Sequence, residues 1–319
     1  MVRYVLDVAW ERDVKAVRLY EYGGPEVLKY EDGVPDPPLS PDGVLVESAA
    51  TSVNPVDWKV RSGARQKDFP LRLPAILGKD VSGVVRAVGR NIRTFKPGDR
   101  VLAVADATYA ELVAVEGSIL THLPEGLNLV DAAAIPLIAL TGDQLVRGAT
   151  GAERGQTILV SGALGSVGRA AVHTARKLGV RVIAGVRTRQ LPEARTLGAD
   201  DTLAIDDDAA IAALAPLDGV ADTVGGPTAE KLFARVKPGG HFGYASVFPE
   251  GASRLNPTVT VTRALVRPDA SKIREFADDV RDGRFLLPID RRMPLREAGE
   301  AQVLAQRGGV GKIVLVCRD

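Results

Sequence analysis

Residues 157–178 read TILVSGALGSVGRAAVHTARKL. TILVSG has the character of a buried strand, glycines crowd at 162, 165 and 168, and an amphipathic run begins at once. A dinucleotide fingerprint is G-x-G-x-x-G between a strand and a helix start. Here it reads A-x-G-x-x-G through Ala163, Gly165 and Gly168, with Gly162 ahead of it. Ala163 is small enough for the first turn position. Gly165 lets backbone approach a pyrophosphate, and Gly168 lets the helix pack close to the strand. The helix start adds unpaired N–H groups and partial positive charge. Gly162, Ala163, Gly165, Ser166, Val167 and Gly168 are the candidate phosphate-binding residues. A turn that needs small residues only for packing would carry the same glycines, so the surroundings must separate the two readings.

They favour the nucleotide. RVIAGV, DTLAID, GVADTVG and GHFGYAS read as further strands, with helical runs LPEARTLG, DAAIAALAP and TAEKLFARV between them. This alternation implies a parallel sheet covered by helices on both faces. No lysine follows the glycines in a G-K-[ST] arrangement, which argues against a P-loop. The second strand ends where NAD enzymes carry an acid for the ribose 2′-hydroxyl. This chain has GVRTRQ there, with no acid before Glu193. Arg187, Thr188 and Arg189 stand where a 2′-phosphate would lie, and arginine forks bind phosphate well. The expected cofactor is NADP(H).

Outside this region the chain changes character. Residues 15–120 are rich in short β-like runs, such as KAVRLYEYGG and VSGVVRAVG, punctuated by PDPPLSPDG and FKPGDR. Residues 130–150 turn helical, TVTVTRALVRPD (258–269) reads as a strand, and the last strand is KIVLVC. With 319 residues, two domains are expected. The net charge of +1 gives no reason to expect nucleic acid or a membrane surface. The single cysteine, Cys317, leaves no disulfide framework and no cysteine-rich zinc site, and the three histidines are scattered. No apolar run approaches the ~20 residues of a membrane span. MVRYVLDVAWERD lacks a signal-peptide pattern, so a cytoplasmic location and an N-terminal extension over 1–13 are expected.

Several stretches in order resemble the zinc-free, quinone oxidoreductase-like branch of the medium-chain dehydrogenase/reductase superfamily, which includes zeta-crystallin. They are SVNPVDWKVRSG (52–63), LGKDVSGVVRAVG (77–89), FKPGDRV (95–101), YAELVAV (109–115), AAAIPLIALTG (132–142), SGALGSVG (161–168), LGAD (197–200), DTVGG (222–226), KPGG (237–240) and GKIVLV (311–316). The resemblance implies an α/β fold, a Rossmann-type doubly wound parallel sheet plus a β-rich GroES-like catalytic domain. The β-rich domain would comprise 1–135 and 275–319, and the NADP(H)-binding domain 136–274. In zinc-containing relatives a catalytic cysteine stands at the position of Asn54 and G-H-E at Gly78-Lys79-Asp80. Both zinc sites are therefore expected to be missing, and no metal is assigned. Several related quinone reductases carry tyrosine at the position of Lys59, and Ser166 replaces a common glycine.

The same resemblance places Asn54 toward nicotinamide and substrate. Lys59 is the candidate donor to the substrate oxygen, with Asp57 beside it. Thr141, Thr223, Val224 and Tyr244 would pack near the nicotinamide, and Gly311 and Lys312 would close the cleft. Without a Lewis acid, a conjugated acceptor is the easier substrate, because a quinone or enone is already electrophilic. The expected activity is NADPH-dependent hydride transfer to a quinone or to the β-carbon of an α,β-unsaturated carbonyl. A pathway-specific enoyl reductase acting on one larger substrate, and an NADPH-binding regulator with little turnover, are the alternatives. A homodimer paired through the 258–269 strand is expected.

Overall fold

The computed structural model describes residues 14–249, 251–254, 256–287, 289–309 and 311–318. The extension expected over 1–13 lies outside them. The described residues form two compact units, one up to Leu120 and again from Arg291, the other from Thr121 to Asp290.

The first unit holds β1 (Val14–Leu19), β2 (Leu28–Val34), β3 (Gly43–Ser52), α1 (Pro55–Arg61), β4 (Ala75–Ile76), β5 (Asp80–Val88), β6 (Arg100–Val104) and β7 (Leu112–Glu116). The second opens with the short β8 (Thr121–His122) and α2 (Pro136–Gln144). It continues through β9 (Thr157–Ser161), α3 (Ser166–Leu178), β10 (Arg181–Val186), α4 (Leu191–Ala194), β11 (Asp201–Ala204), α5 (Asp208–Ala212) and β12 (Leu217–Asp222). Then come α6 (Gly226–Phe233), β13 (Val236–Tyr244), β14 (Thr260–Arg263) and α7 (Ala270–Arg281). The chain ends with β15 (Ile289–Pro294), α8 (Ala298–Arg307) and β16 (Lys312–Val316).

In the first unit β3 is the axis. It pairs antiparallel with β5, β7 and β16, and β5 pairs with β6. Val44, Val46, Val81, Val85, Val101 and Val113 pack into one core. A second core gathers Val17, Leu19, Val60, Tyr109, Leu295 and Ile313, and α1 lies over it. β1 with β2 and β4 makes a separate small sheet.

The second unit is a six-stranded sheet in the order β11-β10-β9-β12-β13-β14, and each neighbouring pair is parallel. Its central strands are buried on both faces, which is why Ile158, Leu159 and Val160 of β9 form a continuous apolar run rather than alternating with polar residues. Ile158 and Val160 face Ala171, Val172 and Ala175 of α3. Leu159 faces the opposite core with Phe233 and Phe242. The doubly wound fold expected from the βα alternation is therefore present.

Three segments differ in detail from the sequence reading. The helical run at 130–150 is broken into a 3₁₀ turn (Asp131–Ala134), α2, and a wider π-helical turn (Leu145–Thr150) that Gly151 ends at φ 57°. Pro136 lacks the N–H that would continue the first turn. The Thr150 hydroxyl competes for the Val146 carbonyl at 2.6 Å. The strand read over 258–269 pairs only at 260–263, and Pro268 cannot donate to a longer ladder. The run 275–290 packs with the nucleotide-type unit because Asp279 of α7 is tied to His173 and Lys177 of α3 at 2.7 and 2.8 Å. Burial disfavours the Asp279 charge, but bonds from Lys177, His173 and Arg284 outweigh it and hold the carboxyl at about 2.

Helices α2 and α3 meet through Gly142. A Cβ there would stand 2.6 Å from the Cβ of Ala170 and 2.7 Å from the nitrogen of Ala171. Gly142→Ala should therefore destabilise the fold by about 1–3 kcal/mol, read as a lower urea midpoint. An unchanged midpoint would show that the helices have room to spare.

Candidate active site

The parallel sheet reverses direction of winding between β9 and β12, and ligands of open α/β sheets bind at the carboxyl ends beside such a reversal. The glycine turn lies there. Gly162 has φ 64°, and Gly165 caps α3 in an extended conformation. A Cβ on Gly168 would sit 2.2 Å from the Gly162 carbonyl oxygen, so strand and helix can approach only with hydrogen at that position. A Cβ on Gly165 would meet only the Gly162 carbonyl, at 3.2 Å, which leaves its outer side open.

Among the described residues no side-chain hydrogen bond caps α3 or α6, whereas Asp207 caps α5 and Asp269 caps α7. The first N–H groups of α3 thus keep their positive end for a ligand. Ser166 and Val167 open the helix half-buried, and Ala163 is fully buried beneath the turn. The cleared backbone and uncapped helix fit the pyrophosphate of a nicotinamide dinucleotide.

At the end of β10, Arg187 and Arg189 are exposed. Thr188 between them donates through its N–H and hydroxyl to Asp206, at 2.7 and 2.8 Å. Those bonds, with the Arg187 charge, hold the Asp206 carboxyl below its ordinary range. The sequence reading did not place an acid here, because Asp206 arrives from the end of the neighbouring β11.

On the other side of the reversal, Asp222 ends β12 fully buried. Burial pushes its carboxyl up, and the hydroxyls of Ser161 and Ser246 and the amides of Val224 and Gly225 partly offset this. Thr223 donates through its hydroxyl to the Ser161 carbonyl at 2.7 Å, and Val224 is exposed. Tyr244 stacks near Phe248, ring centres 5.6 Å apart. The Thr141 hydroxyl is spent on the Leu137 carbonyl at 2.6 Å.

The candidates Asn54, Asp57 and Lys312 meet within the first unit. Asn54 caps α1 and is buried. Its Nδ2 donates to the Ser52 carbonyl at 3.2 Å and to Asp80 Oδ2 at 2.7 Å. Its Oδ1 accepts from Lys312 Nζ at 2.7 Å, and Lys312 also donates to the Val53 carbonyl at 3.0 Å. Asp80 completes the group, 3.7 Å from Lys312 Nζ and 2.5 Å from the Ser52 hydroxyl. Burial lowers the Lys312 pKa, and the nearby Asp80 and Asp57 charges partly restore it.

Asp57 does not simply face solvent beside Lys59. Its Oδ2 accepts from the Asn54 N–H at 2.8 Å and from the Tyr109 hydroxyl at 2.9 Å. Burial followed by the Asp57 charge raises Tyr109 well above its ordinary value. Behind it, Gln302 accepts from Arg61 at 2.7 Å and donates to the Tyr109 hydroxyl at 3.5 Å. Lys59 lies on α1 half-buried, and Gly311 precedes β16 half-buried. Asp80 and Gln302 were not singled out from the sequence as site residues. They lie 26 and 248 positions from Asn54, and only the LGKD motif touched either of them. Among the described residues no group of three or more His, Cys, Asp or Glu could hold a metal ion. No helix of the described residues is long and apolar enough to cross a membrane.

A family model described as Alcohol dehydrogenase GroES-like domain matches residues 40–125, and one described as Zinc-binding dehydrogenase matches 197–315. A quinone oxidoreductase of Pseudomonas aeruginosa is 34% identical over 95% of this chain and 99% of its own. An Arabidopsis thaliana NADPH-dependent alkenal/one oxidoreductase is 36% identical over 64% of this chain and 55% of its own. Among solved structures, the quinone oxidoreductase from Coxiella burnetii superposes with a TM-score of 0.85 at 27% identity, covering 96% of this chain and 100% of that one.

Burial raises the Asp57 carboxyl from 3.8 to about 7, against the opposing bonds from Asn54 and Tyr109 and the Lys312 charge. The folded state therefore binds a proton that the unfolded state has already released between those values. Stability contributed here is present at low pH and is lost as pH rises from 3.8 to about 7. Asp57→Asn keeps an acceptor for both donors and removes the titration. Urea unfolding across that window should show a flatter pH dependence in the variant than in the parent. Equal slopes would mean that Asp57 is already ionised throughout.

Proposed function

The chain belongs to the quinone oxidoreductase-like family of medium-chain dehydrogenases/reductases, and we propose that it is an NADPH-dependent reductase of quinones or α,β-unsaturated carbonyls that works without zinc. It is an oxidoreductase with a nicotinamide cofactor and a small-molecule substrate. The observation that carries the finer reading is the uncapped start of α3 at the sheet reversal, with Arg187 and Arg189 exposed at the end of the adjacent β10. Bound there, the cofactor supplies hydride.

The chain's own residues bind and orient. The turn from Gly162 to Gly168 receives the pyrophosphate at the start of α3, with the Ala163 and Gly165 N–H groups held by the Gly185 and Gly162 carbonyls, and the two arginines take the 2′-phosphate as forked donors. Thr141, Thr223, Val224 and Tyr244 are assigned to the nicotinamide end.

At the substrate, both Nδ2 hydrogens of Asn54 are engaged by Ser52 and Asp80, so Asn54 retains only a spare acceptor lone pair. The donor to the substrate oxygen is then assigned to Lys59, on the same helix, and the final proton comes from solvent or a side chain. Lys312 is assigned to hold Asn54 in place, with its ammonium beside Asp80, rather than to touch the cofactor. Zinc independence is supported by the donor set: amide, carboxylate and ammonium stand together where a zinc site would gather thiolate and imidazole.

Among the described residues β14 ends the sheet and has a strand partner on one side only. A second copy covering that edge makes a homodimer the proposed assembly. Light scattering should give the mass of two chains; the mass of one would refute it.

Supplied with NADPH and a panel of a benzoquinone, a naphthoquinone, an alkenal and a cyclic enone, the enzyme should oxidise NADPH with at least one acceptor. NADH should serve less well. Replacing Arg187 and Arg189 together by alanine should raise KM for NADPH by about tenfold or more while leaving NADH nearly unaffected. Equal losses with both nucleotides would remove the 2′-phosphate assignment. Lys59→Ala should lower kcat with every accepted substrate, and unchanged turnover would exclude Lys59 as the donor.

A further inference from the structure

The buried carboxylate of Asp222 has no part in the chemistry above, yet it joins three segments at the carboxyl edge of the sheet. Its Oδ1 accepts from the Ser161 hydroxyl at 2.6 Å and the Val224 N–H at 3.3 Å. Its Oδ2 accepts from the Gly225 N–H at 2.9 Å and the Ser246 hydroxyl at 3.0 Å. Ser161 in turn accepts from the Thr223 N–H at 2.9 Å. One side chain thus ties the residue before the glycine turn, the loop after β12 and the segment after β13.

Those last two segments carry two exposed apolar side chains, Val224 at 47% and Val247 at 59%. Their backbones are adjacent: a Cβ on Gly225 would stand 2.9 Å from the Val247 carbonyl. The arginines that mark the adenosine end of the cofactor stand on the β10 side of the sheet reversal. A dinucleotide spanning the reversal must lay its other half toward β12 and β13.

Resting on the NADPH reading above, we propose that Asp222 is a positioning residue for the nicotinamide half of the cofactor, locking the Val224 and Val247 segments to the glycine turn. The pattern of donors explains why the residue is a carboxylate. Each oxygen faces one hydroxyl, which can rotate, and one backbone N–H, which cannot accept. An asparagine amide offers a single oxygen, so whichever way it turns its NH₂ confronts a backbone N–H and one segment loses its tie. Asp222 also holds, from within the protein, the Val224 and Gly225 amides that precede α6.

The test compares NADPH with 2′,5′-ADP, a fragment that carries the 2′-phosphate and lacks the nicotinamide, on the full-length parent, Asp222→Asn and Ser246→Ala. Loss of a charged-acceptor bond predicts about tenfold weaker NADPH binding and a lower kcat for Asp222→Asn. The 2′,5′-ADP affinity should stay unchanged. Ser246→Ala removes one surface-side donor, keeps the fold if Asp222→Asn does not, and should show the same split at about threefold. Variants that bind NADPH and turn over like the parent overturn the positioning role. So does a parallel loss of both ligands, which marks general loosening. A parent protein that binds neither ligand instead overturns the cofactor reading itself.

Discussion

A single close approach organises the nucleotide-type unit: the backbone of Gly168 comes so near the Gly162 carbonyl that only hydrogen fits between β9 and α3. That contact aims the amino end of α3 at the sheet reversal and leaves its first N–H groups facing outward. The cores on both faces of the sheet then follow from the apolar alternation of Ile158, Leu159 and Val160. A side chain at position 168 would push helix from strand and move every group that the turn is placed to present.

Around that opening the protein satisfies its own polar groups. Asp207 and Asp269 cap other helices, Asp222 collects the Val224 and Gly225 amides ahead of α6, and Asp279 on α7 gathers His173 and Lys177 of α3 and Arg284. The first unit does the same with Asn54, Asp57, Asp80, Tyr109 and Lys312, whose buried charges are tolerable only because each is hydrogen-bonded to another. In such a setting the α3 start, which no side chain among the described residues caps, is a place where binding gains.

Much of this is legible in the sequence. TILVSGALGSVG announces a strand, a turn and a helix through residue type alone, and the βα alternation that follows dictates a parallel sheet. The family resemblance brings Asn54 and Asp57 forward through SVNPVDW. What the sequence conceals is long-range pairing. Lys312 reads as part of a terminal strand, and nothing local says that its ammonium reaches the Asn54 amide. Asp206 stands just past the end of β11 and reaches Thr188 only because β11 lies beside β10. The π-helical turn at Leu145–Thr150 follows from side-chain competition for carbonyls, which apolar periodicity does not report. The short pairing of β14 depends on where its neighbour ends, again a tertiary fact.

The central claim is that the outward N–H groups of the glycine turn receive the cofactor. Amide hydrogen exchange with and without NADPH addresses it directly. The account predicts that NADPH slows exchange in the peptide spanning Gly162–Gly168 and in the one spanning Thr223–Gly225, while α7 is unaffected. Exchange in the glycine turn that is unchanged by saturating NADPH would contradict it.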